Sequence, residues 1–166
     1  MRKEMRRMKL IVVHAKCSKC GYERKLYFTS GHMYGERVVS TKNGEYCAYV
    51  NLLNENIVQE LEAYCVECFA ENKVNMSKSK LARIASNIYG VTCDNIFNEK
   101  IDTMPNVKCV NCSDGTMVEN KEYGEQLVEV DALEVTHDLW EDLDEDAKRN
   151  VVRKELIRQR YFPSKS

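Results

Sequence analysis

Hydrophobic and polar positions change their period several times along this chain. KLIVVHAK (9–16) is apolar and β-branched and predicts a strand ending at Cys17. YERKLYF (22–28) predicts the strand that follows, and TSGHMYGE (29–36) a glycine-punctuated loop. RVVSTKNGEYCAYVN (37–51) predicts a hairpin, with Asn43-Gly44 supplying a type I′ turn. In NENIVQELEAYC (54–65), Ile57, Val58 and Leu61 fit a helical face that Asn54 can cap. Ile57, Leu61 and Ala63 also fit strand alternation, and helix is the reading preferred here.

Residues 77–101 predict two short helices and a turn. Ser77 or Ser79 caps the first, Leu81, Ile84, Ala85 and Ile88 line it, and Gly90 breaks it. Thr92 then caps a second helix bearing Ile96, Phe97 and Ile101. QLVEVDALEV (126–135) alternates as a strand, with Val128 and Val130 on one face. Thr136 caps a long C-terminal helix that has a candidate break near Asp144. Its seam is Leu139, Trp140, Leu143, Ala147, Val151 and Ile157, widened by Val152, Leu156 and Tyr161.

Charge adds an asymmetry that the net value of −1 hides. The first 25 residues are basic, 119–146 hold Lys121 as their one basic side chain, and the tail is basic again. Acid before base along the last helix is the order that the helix dipole favours. The chain as a whole lacks the charge of a nonspecific nucleic-acid binder, although its N-terminal segment has it. No run approaches a membrane span and no secretory signal pattern is present, so the expectation is a soluble, cytoplasmic protein.

Cysteine changes the picture most. The 166 residues hold eight: Cys17, Cys20, Cys47, Cys65, Cys68, Cys93, Cys109 and Cys112. Six fall in three CxxC pairs, which favour metal over disulfides in a reducing compartment. Two intervening residues in a tight turn aim both sulfurs at one ion. Gly21 follows the first pair and Ser113-Asp114-Gly115 the third, while Phe69 follows Cys68, as suits a pair entering a helix or strand.

The Cys17/Cys20 and Cys109/Cys112 surroundings, each preceded by a lysine after a β-like run, resemble the two knuckles of the zinc-ribbon superfamily. Nearly half the chain separates them, so an insertion is implied. The resulting expectation is an α+β fold. Residues 1–30 and 104–135 form a zinc-ribbon-like core, 31–103 an inserted subdomain, and 136–166 a C-terminal amphipathic helix and tail. Two zinc ions are expected, one on Cys17, Cys20, Cys109 and Cys112, the other on Cys47, Cys65, Cys68 and Cys93. In the alternative, Cys17/Cys20 pair with Cys65/Cys68, and Cys109/Cys112 recruit the single cysteines, His14, His32 or His137.

The chemistry expected of this metal is structural. There is no HExxH, no deaminase signature, no P-loop, no GxSxG and no dinucleotide fingerprint. The chain is therefore read as a non-enzymatic, regulatory binding module. In the first form of that reading it binds nucleic acid, through Lys16, Lys19, Arg24 and Lys25, and is associated with transcription. In the second it binds a protein complex or a second copy of itself, through Val152, Leu156 and Tyr161 on the last helix.

Overall fold

The computed structural model describes residues 5–31, 35–51, 56–105 and 107–163. The fold is α+β. Seven strands form one mixed sheet: β1 (Met5–Cys17), β2 (Glu23–Thr29), β3 (Glu36–Thr41), β4 (Cys47–Asn51), β5 (Ile101–Asp102), β6 (Met117–Glu119) and β7 (Gln126–Glu134). Their order is β2-β1-β7-β4-β3-β5, with β6 also on β1. Every pairing is antiparallel except β4 with β7. The helices are α1 (Ile57–Glu71), α2 (Lys78–Ile88), α3 (Asp138–Glu141) and α4 (Glu145–Arg158). Strands from residues 31–103 share the sheet with strands from both flanking segments. Among the described residues, no helix is long and apolar enough to cross a membrane.

Strand β1 organises the molecule by serving two cores. In its first half Met8 and Leu10 are buried, packed with Ala132, Tyr27, Val38 and Tyr49. In its second half the buried positions become Ala15 and Cys17, packed with Leu26, Cys109 and Met117. Side chains alternate between the faces of a strand, so this change from even to odd positions moves the core across the sheet. The largest core lies between the β3-β4 hairpin and the helices, around Val39, Val50, Leu61, Phe69, Ile88, Trp140 and Leu156. Two bonds from β2 bring the far side of the sheet close. Arg24 donates to Ser40 Oγ at 2.7 Å, and the Tyr27 hydroxyl donates to the Gly44 carbonyl at 2.8 Å. The sheet therefore curls on itself.

Several local expectations are met and several are corrected. The 37–51 hairpin forms, but its loop spans residues 42–46. Of the two turn residues only Gly44 has a positive φ (74°), and its N–H closes a turn onto the Thr41 carbonyl. The type I′ turn is thus absent there. Positive φ at two consecutive residues occurs instead at Phe97 and Asn98, between bridged Ile96 and Glu99. That tight turn replaces the second helix expected after Gly90, so the expected pair of helices is not formed. Gly90 is required by proximity, since a Cβ there would sit 2.8 Å from the Ile101 carbonyl oxygen.

Ser77 caps α2 as expected. Helix α1 forms from Ile57, whereas its expected cap, Asn54, lies outside the described residues. The C-terminal helix is broken before Asp144, which caps α4 by accepting from the Ala147 N–H. Thr136 does not cap α3. Asp94 does so from across the chain, accepting the N–H groups of Asp138 and Leu139 and the Thr136 hydroxyl. Burial alone would raise the Asp94 pKa, but these donors outweigh it and hold it below the usual value.

The last helix covers the core. Val152 and Leu156 are fully buried, so neither offers a partner surface. Tyr161 packs beside Phe69 and accepts a bond from Asn87. Leu139 and Leu143 are exposed and leave the expected seam.

Candidate metal centre

The first knuckle grows out of the end of β1. Cys17 closes the strand and its N–H donates to the Tyr22 carbonyl, while the Gly21 N–H returns to the Cys17 carbonyl. Gly21 takes φ +75°, a left-handed value that glycine adopts without steric cost. The second knuckle repeats the geometry without glycine at that place. Ser113 follows Cys112 with φ +61°, and its N–H donates to the Cys109 carbonyl. Both turns leave backbone donors free to face sulfur. The N–H groups of Lys19 and Cys20 approach Cys17 Sγ at 3.4 and 3.5 Å. Those of Asn111 and Gly115 approach Cys109 Sγ and Cys112 Sγ at 3.4 and 3.2 Å.

Two strands and a cross-brace hold the knuckles together. Cys17 pairs with Met117 where β6 lies on β1. Ser18 exchanges bonds with Thr116, its N–H to the Thr116 carbonyl and its Oγ from the Thr116 N–H. The Asn111 side chain donates to Cys20 Sγ. Gly115 lies so close that a Cβ would overlap the Cys17 sulfur.

The four sulfurs lie within 4.8 Å of one another. Cys17 and Cys112 are 3.8 Å apart, Cys20 and Cys109 3.6 Å. Four thiolates tetrahedral about zinc, each about 2.3 Å from the ion, have S–S edges of about 3.8 Å. The donor set and its spacing therefore fit one zinc ion. Backbone and Asn111 donors hold Cys17, Cys20 and Cys112 below the usual thiol value. The largest contributions come from the N–H groups of Cys20, Tyr22 and Asp114 respectively. Cys109 is the most deeply buried of the four ligands, and burial pushes its pKa to about 11.

Among the described residues this is the one group of three or more cysteine, histidine or acidic side chains so placed. The second four-cysteine site expected of the sequence is not assembled. Cys65 and Cys68 lie inside α1, buried in the helical core. Burial raises Cys65 to about 12 and raises Cys68. Cys47 faces the β core, where burial raises it to about 11. The Cys93 thiol lies 3.6 Å from the Tyr89 carbonyl. Neither described histidine joins the thiols. His14 stacks on Tyr123, and His137 bonds the Tyr89 hydroxyl and Thr92 carbonyl. His32 lies outside the described residues.

The basic residues expected to bind nucleic acid divide. Lys16 and Lys19 are exposed and Lys25 is half-buried. Lys19 pairs with Asp114 at 3.6 Å, and Asp114 also pairs with Arg160 beyond α4. Arg24 is 7% exposed and is committed to Ser40 and Thr41, which withdraws it from a phosphate-binding surface. Sequence reading missed Asn111, Asp114 and Gly115 as parts of the centre. The turn residues after Cys112 were the signal for Asp114 and Gly115; Asn111, inside the pair, had none.

Comparison with protein-family models, with characterised proteins and with solved structures gives no match. The four-cysteine cluster is compatible with a zinc-ribbon-like site on its own geometry.

Proposed function

We propose that this chain is a cytoplasmic, non-enzymatic binding module whose one zinc ion is structural. The observation that carries the reading is the closed set of four sulfurs at zinc spacing, from two knuckles distant in sequence. A set of four cysteines saturates the ion and leaves no position for substrate. The zinc clamps residues 109–119 onto β1 and fixes the surface beside the first knuckle.

The partner proposed for that surface is nucleic acid, in a regulatory role associated with transcription. A cleft of about 170 Å³ beside the knuckle is lined by His14, Lys16, Lys25, Asn43 and Tyr123, together with acidic Glu23 and Glu45. Lysines beside stacked rings suit a single strand, whose phosphates meet the cations while its bases meet the aromatics. Fluorescence anisotropy with labelled single-stranded RNA and DNA tests this. Binding should weaken as salt rises and should be lost in a Lys16→Glu/Lys19→Glu/Lys25→Glu variant that keeps its zinc. No binding by the parent, or undiminished binding by the variant, contradicts it.

A second reading, protein recognition, is favoured by a different face. Phe28, Ile11 and Leu127 lie directly across from one another on β2, β1 and β7. Phe28 is 39% and Leu127 65% exposed. Such a row, rather than Val152 and Leu156, is where a protein partner or second copy would dock. Loss of self-association or partner capture in a Leu127→Lys variant would support it.

A further inference from the structure

Among the described residues, two arginines withdrawn from solvent have no carboxylate in hydrogen-bond contact. Arg37, half-buried, donates to the carbonyls of Ser86 and Thr103. Arg24, buried, donates to Ser40 Oγ and the Thr41 carbonyl, and its Nε has no partner. Burying an uncompensated cation is costly, so each position asks what offsets it. For Arg24 the sheet register supplies the answer. It lies directly across from Ala15, so it shares a face with Cys17 two residues further along β1. Diagonal neighbours of this kind are about 7–8 Å apart, within reach of a long side chain. Ala15, Cys17 and Cys109 belong to one buried cluster.

The metal centre has the complementary need. Four thiolates around a divalent ion leave net negative charge. Lys16 and Lys19 are near it but exposed, so water and salt screen them. Cys109 is fully buried, the ligand that solvent compensates least. Burial lowers the Arg24 pKa, and Asp102 is the nearby charge that acts most to raise it. Asp102 is itself bonded by Arg158 and is not a dedicated partner.

We infer that Arg24 is the buried counter-charge of the metal–thiolate centre, a positioning residue that ties the zinc lobe electrostatically to the β2–β3 seam. The inference rests on the reading of Cys17, Cys20, Cys109 and Cys112 as a zinc site. In this role Arg24 touches no partner molecule. It strengthens the hold of the thiolates on a divalent ion.

The test uses the full chain, Zn²⁺ affinity by competition with a chromophoric chelator, and the absorption spectrum of the Co²⁺-substituted protein. Arg24→Gln keeps an amide donor for Ser40 but removes the charge. It should weaken Zn²⁺ binding about 10- to 100-fold, the usual cost of losing a partner just outside the ligands. Its Co²⁺ charge-transfer band should move to lower energy, because uncompensated sulfur gives up an electron more readily. Arg24→Lys should stay within a few-fold of the parent. Arg37→Gln removes a half-buried cation whose charge reaches Cys93 and Tyr89 instead. It should leave Zn²⁺ affinity and the Co²⁺ spectrum unchanged even if it lowers stability. Equal affinity in Arg24→Gln and parent, equal weakening in Arg24→Lys, or equal weakening in Arg37→Gln would each overturn the inference. A parent that binds neither Zn²⁺ nor Co²⁺ would overturn both the inference and the zinc reading beneath it.

Discussion

The pairs Cys17/Cys20 and Cys65/Cys68 have the same spacing and opposite chemistry. In the first, the chain turns back on itself and its N–H groups face sulfur, so Cys17 and Cys20 lie below the ordinary thiol value. In the second, the pair sits inside α1, where interior N–H groups already donate to carbonyls four residues back. Those sulfurs face Leu61, Phe69 and the rest of the helical core, and burial keeps them protonated. A CxxC pair becomes a ligand pair when its backbone is free to turn, because the thiolate needs donors as well as proximity. The residue after the second cysteine carries that information: Gly21 and Ser113 adopt positive φ, whereas Phe69 continues a helix.

The sharpest break of this contrast is mutation of each pair. Cys17→Ser or Cys109→Ser should remove the bound zinc and unfold the lobe around residues 107–119, read as lost metal and a large fall in melting temperature. Cys65→Ala and Cys68→Ala should leave the metal in place and each cost about 1–2 kcal/mol from the emptied core volume. Gly115→Ala comes next. Its Cβ would overlap the Cys17 sulfur, so zinc affinity should fall at least tenfold, whereas Gly21→Ala meets only Lys16 Cε at 3.8 Å. That second change should cost about 1 kcal/mol, the strain of a left-handed alanine.

The pH effect on the core thiols is smaller. Cys65 has a folded pKa of about 12 against an ordinary value of 9.0, so burial favours its neutral form. Its contribution to stability is full below pH 9.0 and is lost as pH climbs toward 12. Denaturant unfolding on either side of the ordinary thiol value should show this decline, and Cys65→Ala should reduce it. Alkylation of metal-free protein gives the finest comparison. Cys20 and Cys112 should react before Cys65 and Cys68, because the thiolate is the nucleophile and both core thiols are raised.

Much of this was legible in sequence where the signal is local. The strands at 9–16, 22–28 and 126–135, the Ser77 cap, the break before Asp144 and the joining of Cys17/Cys20 to Cys109/Cys112 all follow from period, caps or turn residues. What was hidden depends on distant partners. Arg24 reads as a surface cation until β2 pairs with β1 and reaches Ser40. Asp94 reads as part of a helix until the start of α3 arrives to be capped. Val152 and Leu156 read equally as core or partner face, and only packing against α1 and α2 decides between them. Cys47 and Cys93 show the same limit, since a single cysteine carries no spacing to read.

The structure assigns one four-cysteine centre and leaves the remaining cysteines as core thiols. Metal analysis of the purified full chain, beside Cys109→Ser and a Cys65→Ala/Cys68→Ala variant, tests it most directly. One zinc per chain is expected in the parent, one in the Cys65/Cys68 variant, and none held tightly in Cys109→Ser. Two zinc ions in the parent, or loss of zinc on changing Cys65 and Cys68, would contradict it.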